Sequence, residues 1–463
     1  MTVQTLTTQT RLPVSADELF AWHTRPGALE RLAPPWEDVR LVSKEGEFGN
    51  GQRVVVRTPL LGPFRTNWTA EVFGFEPGRE FHDRQIKGPF SFFEHTHRMI
   101  PDGSNASILD DTVEYRVPLG WLGRLVAGRS VRTKLERMFA YRHRIMLSDL
   151  KRHNAFRDRP RLTVAITGSR GLLGNVLTRF LTTGGHRVVR LVHGTSHTPI
   201  DDGTRWVSWN PKVPLDPKVL EGCDAIVHLA GDNIVEGRWT KAKKQRILES
   251  RTGPTRRLAE AAASLDVPPK VFISASGISA YGDRGDEELT EDSSTGSSFL
   301  ADVVLQWEAA AEPARAKGIR TVHPRIGVVL SPAGGALAKQ LFAFKMGMGA
   351  TLGSGKQWVP WIAIDDVIGS IHHAMMTDSL NGPYNCCAPN PVSNRTFGKT
   401  LGRVMRRPVF MWIPGFALRT LLGGVADDAL LASVRAVPRK LKQSGFAFDY
   451  TELEPALRHL MGR

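Results

Sequence analysis

Three glycines at a fixed spacing, in the run Gly168-Ser169-Arg170-Gly171-Leu172-Leu173-Gly174, could cradle a phosphate. Glycine lets the backbone turn tightly and approach an anion, and the N–H groups at the start of a following helix would face that anion. The surroundings suit the task. The apolar stretch Leu162-Thr-Val-Ala-Ile166 and Thr167 precede the run, and apolar residues recur after it at Leu173, Val176, Leu177, Phe180 and Leu181. That recurrence predicts an amphipathic helix, which Gly184-Gly185 would stop. Strand, glycine turn and helix in that order are the context a dinucleotide loop requires.

The next strand-like run, Arg187-Val-Val-Arg-Leu-Val192, indicates which dinucleotide. A cofactor without a 2′-phosphate usually meets an Asp or Glu at the end of this strand. Residues 175 to 200 contain no acid, and they carry Arg187, Arg190 and His193. Arg170 sits within the glycine loop itself. Positive donors suit a 2′-phosphate, so NADP is expected over NAD, with Arg170 and His193 as its contacts. Two further apolar runs end in small residues: Cys223–Gly231, through Leu229-Ala230-Gly231, and Val271–Ser276, through Ser274. Small residues let a strand end lie close to a nucleotide. Ser276 and Tyr281 fall where a reacting carbonyl would lie and are the candidate catalytic pair. A tyrosine near its ordinary pKa of ~10 needs a cation beside it to exchange protons well. Arg251 is expected near the phosphates and Arg325 near the nicotinamide side. No Cys/His spacing suggests a metal site. His95 and His97 share a strand face, with no third ligand near them in the sequence.

These residues need a scaffold. Strands alternating with helices after Leu162 predict an α/β domain with a Rossmann-like, doubly wound parallel sheet. Before it, Thr5–Leu12 alternates as a strand, and Ser15 and Glu18 form a capping-box pattern for a helix. A short helix is predicted at Pro26–Leu32. Strands are predicted at Val39–Val42, Gln52–Arg57, Arg65–Phe75, Glu80–Gln85, Phe90–Met99 and Ser107–Val117, and a long helix near Val131–Leu150. Charged, proline-bearing Lys151–Arg161 reads as a linker. The expected division is 1–152, a linker at 153–161, a nucleotide domain at 162–405, and a helical segment at 406–463 with an extended piece at Gly445–Phe448.

The chain has 463 residues, ample for several domains, with 41% hydrophobic and 23% charged residues, as in an ordinary globular protein. Three cysteines, Cys223, Cys386 and Cys387, cannot form a disulfide framework. Neither a signal peptide nor a membrane-spanning run is evident, so a cytoplasmic location is expected. The net charge of +15 favours anionic ligands. It is spread along the chain and accompanies no nucleic-acid-binding motif, so nucleic acid is not an expected partner.

Residues 162–463 resemble the atypical short-chain dehydrogenase/reductase group known as the epimerase family, with its characteristic C-terminal segment. The matching stretches run in order: Thr167–Gly174, His228–Gly231, Arg238-Trp239, Ser250-Arg251, Ser274–Ser276, Tyr281–Asp292, Trp307–Ala310, Arg325–Leu330, Leu352–Trp358, Trp361–Asp366, Ala388–Pro391, Ala426–Ala432 and Gly445-Phe446. The resemblance implies a nicotinamide cofactor and oxidoreductase or epimerase chemistry. It also implies a Tyr-x-x-x-Lys pair, but this chain reads Phe299-Leu-Ala-Asp-Val303 at that place, so the usual acid/base pair is missing. A non-catalytic NADP-binding or ligand-sensing protein is the alternative. Residues 1–152 resemble the START-like (SRPBCC) helix-grip superfamily, and among it the cyclase-type members. The resemblance rests on the order of elements and on Pro34-Pro-Trp36, Trp68, Phe93–His97 and Asp110–Tyr115. It implies a curved sheet around the last helix and an apolar or lipid-like small-molecule ligand, near Trp68, Phe90, Phe92 and Phe93.

Overall fold

The alternation read from the first 117 residues becomes one antiparallel sheet. The computed structural model describes residues 3–61, 64–118, 120–194 and 202–463. Strands β1 (Gln4–Leu12), β2 (Arg40–Glu45), β3 (Arg53–Leu61), β4 (Phe64–Glu76), β5 (Glu80–Lys87), β6 (Phe92–Pro101) and β7 (Ser107–Arg116) lie in the order β1-β7-β6-β5-β4-β3-β2. Along β6, Phe93, His95, His97 and Met99 are buried while their neighbours are less so, the period of two that a half-buried strand shows. Helices α1 (Ala16–Thr24) and α2 (Ala28–Arg31) follow β1. The Ser15 hydroxyl accepts from the Glu18 N–H at 3.3 Å. The expected capping box is only half made, because the Glu18 carboxylate takes a bidentate pair from Arg25 at 2.8 and 2.9 Å.

The closing helix α3 spans Gly120–Asn154, longer at both ends than the sequence pattern predicts. Its last turn was expected to be linker because it is charged. Arg152 is largely covered there, its side chain 10% exposed, because its Nη2 donates to Asp366 at 2.8 Å and to Asp449 at 2.7 Å. His153 stacks on Phe180 at 4.3 Å. Arg31 on α2 likewise meets Asp149 and Asp365 at 2.8 and 2.9 Å, out of water. The two halves of the chain are therefore fastened through buried ion pairs.

The second half is built on parallel strands β8 (Thr163–Thr167), β9 (Arg187–Val192), β10 (Arg205–Ser208), β11 (Ala225–His228), β12 (Val271–Ser274), β13 (Arg320–Ile326) and β14 (Gly382–Cys386). Their order is β10-β9-β8-β11-β12-β13-β14. Val164 and Ile166 enter the core on one face and Ala165 the core on the other, so β8 is buried on both. Helices α4 (Leu172–Thr183) and α7 (Ile364–Met376) cover the first face, and α5 (Lys241–Ala263) covers the second. Helix α6 (Phe299–Ala309) begins at the N-cap Ser298. Strand order reverses between β8 and β11, and ligands of such sheets bind outside the strand ends at that point.

The sequence predicts a helical segment after Arg406, and the structure departs from this at a strand. Val409–Ile413 pairs in parallel with Gly349–Leu352, as its β-branched and aromatic residues favour. A helix at Gly415–Leu422 and a π-helical turn at Ala426–Leu431 follow. All three cysteines are buried and free. No helix among the described residues is long and apolar enough to cross a membrane.

Candidate functional site

The glycine loop lies where the strand order reverses. Gly168 has φ +68°, and a Cβ there would stand 2.8 Å from the Leu229 carbonyl carbon and 2.9 Å from the Ala230 nitrogen. Gly174 allows the loop to lie on its own helix: a Cβ would meet the Gly168 oxygen at 2.3 Å and the Ser169 Cα at 2.7 Å. The Gly171 N–H closes the turn on the Gly168 carbonyl at 2.9 Å. Gly171 is also the N-cap of α4 and offers no side-chain oxygen to the first N–H groups of that helix. Ser169 is buried, yet its hydroxyl has no hydrogen-bond partner among the described residues. A cradle too tight for side chains, a bare helix N-terminus and a buried hydroxyl in need of a partner fit a pyrophosphate.

Around the rest of the groove the expected residues divide. Arg170 lies over the Trp206 ring at 5.2 Å, and its Nη1 is 3.4 Å from the exposed His193's carbonyl. Both stand beyond β9, as a 2′-phosphate contact would require; residues 195–201 lie outside the described residues. Arg187 is exposed. Arg190 is committed elsewhere: it lies over Trp206 at 4.7 Å and pairs with Asp202 at 2.9 Å. Leu229, Ala230 and Gly231 end β11 against the loop, with the His228 Nδ1 2.6 Å from the Thr167 hydroxyl. Arg251 braces this turn. It donates to the Ile247 and Asp232 carbonyls at 3.0 Å each, lies over Trp307 at 5.1 Å, and would touch any Cβ on Gly231. Leu172 opens α4 and packs toward Gly334. The Ser274 hydroxyl is buried at the end of β12.

Ser276 and Tyr281 are brought together through Arg325, which the sequence places on the nicotinamide side, and Glu308, to which it assigns no role. The Ser276 hydroxyl donates to Glu308 at 2.6 Å. Arg325 grips the same carboxylate with Nε and Nη2, both at 2.9 Å, and its Nη1 donates to the Tyr281 hydroxyl at 3.2 Å. That hydroxyl donates to Asn385 Oδ1 at 2.7 Å. Arg325 is thus the cation that Tyr281 lacked in the sequence reading. Burial holds the phenol above its ordinary range, a rise that Arg325 and Asn385 reduce without cancelling. Glu308 lies in the Trp307–Ala310 stretch, which carried the resemblance but suggested no chemistry. Nothing in the sequence marked Asn385. Tyr281 is 0% exposed and sealed in this conformation, while the Glu308 side chain keeps 12% of its surface in solvent. At the place of the missing pair, Phe299 packs edge-on to Trp239 at 5.2 Å and Val303 is core.

The fold defines a Rossmann-type domain joined to a helix-grip domain. Three family profiles match it: polyketide cyclase / dehydrase and lipid transport over 12–139, the NAD dependent epimerase/dehydratase family over 164–387, and a domain of unknown function, DUF1731, over 413–460. A curated relative, the epimerase family protein Mb2239 of Mycobacterium bovis, is 39% identical over 301 residues, 65% of this chain and 98% of that one. A crystal structure described as a nucleoside-diphosphate sugar epimerase from Corynebacterium glutamicum is 34% identical, with a TM-score of 0.79 over 99% of this chain and 90% of that one. The structure of human epimerase family protein SDR39U1 with NADPH is 30% identical, with a TM-score of 0.58 over 65% of this chain and 99% of that one. The chain belongs to the epimerase family, with the DUF1731 domain at its C-terminal side and a polyketide-cyclase-type domain fused before it.

Proposed function

We propose that the protein binds NADP(H) along the glycine loop and carries out oxidoreductase or epimerase chemistry on a small molecule, its N-terminal module binding an apolar ligand. The observation that carries the reading is the cradle itself: backbone packed at Gly168 and Gly174 beside a buried Ser169 hydroxyl that no described residue satisfies. Ser169 and the N–H groups at the start of α4 hold the pyrophosphate, and Arg170 and His193 meet the 2′-phosphate. The relative with bound NADPH supports that choice. The cofactor supplies or accepts a hydride when bound. Tyr281 then holds the exchangeable proton, with Arg325 stabilising its phenolate, and Ser276 is oriented through Glu308.

A second reading, a nucleotide-loaded protein without turnover, is favoured by the sealing of Tyr281 and by Phe299 at the usual tyrosine position. A fluorescence titration tests the binding step. NADPH should bind more tightly than NADH, and equal affinities would remove the 2′-phosphate contacts. Turnover tests the chemistry. If Tyr281→Phe leaves NADPH-dependent turnover unchanged, Tyr281 has no part in it.

A further inference from the structure

Two groups of buried histidines lie outside the site above. In the N-terminal module, β5 and β6 pair so that Asp83 stands opposite His95, and β6 and β7 pair so that His97 stands opposite Asp111. The sequence offered only His95 and His97, with no third ligand in view; cross-strand register supplies it. Asp83 Oδ2 is 3.3 Å from His95 Nδ1 and 3.3 Å from His97 Nε2. The three ligand atoms all lie within 4.8 Å of one another. We propose that Asp83, His95 and His97 form a binding site for one divalent transition-metal ion of the zinc class.

The geometry suits that ion. Zinc–nitrogen and zinc–oxygen bonds of about 2.1 Å at tetrahedral angles place neighbouring ligand atoms about 3.4 Å apart. Two of the three ligand edges are already at that length with no ion in place. The outer groups match as well. Histidines that bind a metal generally direct their second nitrogen at a carboxylate, which fixes ring and tautomer. His95 Nε2 and His97 Nδ1 lie 3.4 and 2.8 Å from Asp111 Oδ1, near enough for the carboxylate to serve both rings, though neither contact has hydrogen-bond geometry in the ion-free arrangement. Asp111 is held in turn by His143 Nε2 at 2.9 Å, and His143 Nδ1 by the Thr10 hydroxyl at 2.8 Å. The rings cannot easily swing away: His97 stacks on Phe81 at 4.4 Å, and His95 meets Phe139 edge-on at 5.0 Å. The Asp83 side chain is 25% exposed and gives the ion a way in. Three protein ligands leave a fourth position for water or for an oxygen of a bound molecule.

The second group, His153, His186 and His372, has equally close nitrogens and lacks this chemistry. The Leu162 N–H donates to His186 Nδ1 at 3.0 Å, so the proton of that neutral ring is on Nε2, the nitrogen facing the group. No carboxylate completes the trio, and Arg25 and Arg161 repel a cation from it. For the first group the competing arrangement is an ion-free network in which protonated His97 and Arg142 balance Asp83 and Asp111.

The full-length protein, stripped of metal by a chelator, is titrated with Co(II), and a separate preparation is loaded with Zn(II) and its metal content measured. The expected result is close to one ion per chain, with visible d–d bands of low-symmetry four-coordinate cobalt. Asp83→Asn, a near-isosteric change at a partly exposed position, should abolish the bands. His143→Gln, which loosens the hold on Asp111, should keep them while weakening binding by less than the about 10- to 100-fold that loss of an outer-shell partner costs. Absence of bands and of stoichiometric zinc in the wild type would overturn the proposal in favour of the ion-free network. Bands that survive Asp83→Asn and vanish with His153→Gln would overturn it in favour of the other trio.

Discussion

Gly174→Ala sets two effects of opposite sign against each other within one residue. Gly174 lies inside α4, where replacing glycine by alanine ordinarily stabilises by about 1 kcal/mol. Here the new Cβ would stand 2.3 Å from the Gly168 oxygen and 2.7 Å from the Ser169 Cα. The first is about 1 Å inside van der Waals contact. Both neighbours are backbone, so no rotamer change relieves them, and overpacking of this kind costs about 1–3 kcal/mol. Two such contacts put the cost near the upper figure, for a net loss of about 2 kcal/mol. The alternative outcome is a shift of the loop by about 1 Å, which removes at least one charge-assisted hydrogen bond to phosphate. At about 1.5–3 kcal/mol, that is roughly a 10- to 100-fold loss of NADPH affinity. Gly398→Ala is the internal control. It also lies inside a helix, Asn394–Met405, and its Cβ would make ordinary contacts at 3.6 and 3.9 Å, so it should stabilise by up to about 1 kcal/mol. Urea unfolding and NADPH fluorescence titration read both variants. A Gly174→Ala protein that is as stable as Gly398→Ala and binds NADPH like the wild type would refute the reasoning.

Glu308→Ala leaves Arg325 buried without its carboxylate and should cost about 3–5 kcal/mol in urea denaturation, well above an exposed control such as Glu312→Ala. Arg31→Met leaves Asp149 and Asp365 facing each other at the junction, so calorimetry should show the single transition lowered or split in two; an unchanged trace would mean that the junction does not depend on this pair. Stability should also fall in mild acid. Burial lowers the pKa of His186 to about 3, and of His228 and His323 to about 4. Unfolded histidine titrates near ~6.5, so below that pH the unfolded chain takes up protons that the native chain refuses. This contribution is fully present above ~6.5 and is lost as pH falls toward about 4, at up to roughly 4 kcal/mol per pH unit for three groups. A urea midpoint that is no lower at pH 5 than at pH 7.5 would contradict it.

Periodicity and glycine chemistry made much of this legible in the sequence. Each strand of the first sheet follows from alternation and turn residues, and the dinucleotide loop follows from glycines placed between strand and helix. Pairing was not legible. Period two assigns His95 and His97 to one face of β6 and is silent on which residue of β5 lies opposite, so Asp83 could not be found. Parallel strands hide more, because their crossovers separate partners widely in sequence. Tyr281 meets Asn385 across 104 positions, and Arg152 meets Asp449 across 297. The same cause explains why α3 runs on through Lys151–Asn154 into the charged stretch. Lys and Arg ordinarily mark solvent, and Arg152 is largely covered only because two carboxylates from distant segments meet it.

The junction also bears on what the fusion can achieve. The N-terminal module is fastened to α4, the helix that the glycine loop opens. Arg25 donates to the Thr183 carbonyl at 2.9 Å, and the Thr182 hydroxyl donates to the Pro26 carbonyl at 2.7 Å. Between the modules runs a cleft of about 1700 Å³, with Arg129, Lys134 and Arg137 on one wall and Arg170, Leu172 and Arg179 on the other. It borders the loop on its outer side; Ser276, Tyr281 and Arg325 do not line it and belong to the β12–β13 side of the strand ends. A molecule held in the cleft would therefore lie nearer the proposed phosphate contacts than the proposed proton donor. Direct hand-over to Tyr281 is then the less economical use of the arrangement, and coupling through α4 the more economical. A nucleotide that draws Arg170 and the start of α4 toward itself also acts on Pro26–Arg31 through the far end of the same helix. Linkage then requires that whatever orders Pro26–Arg31 change nucleotide affinity by the same factor.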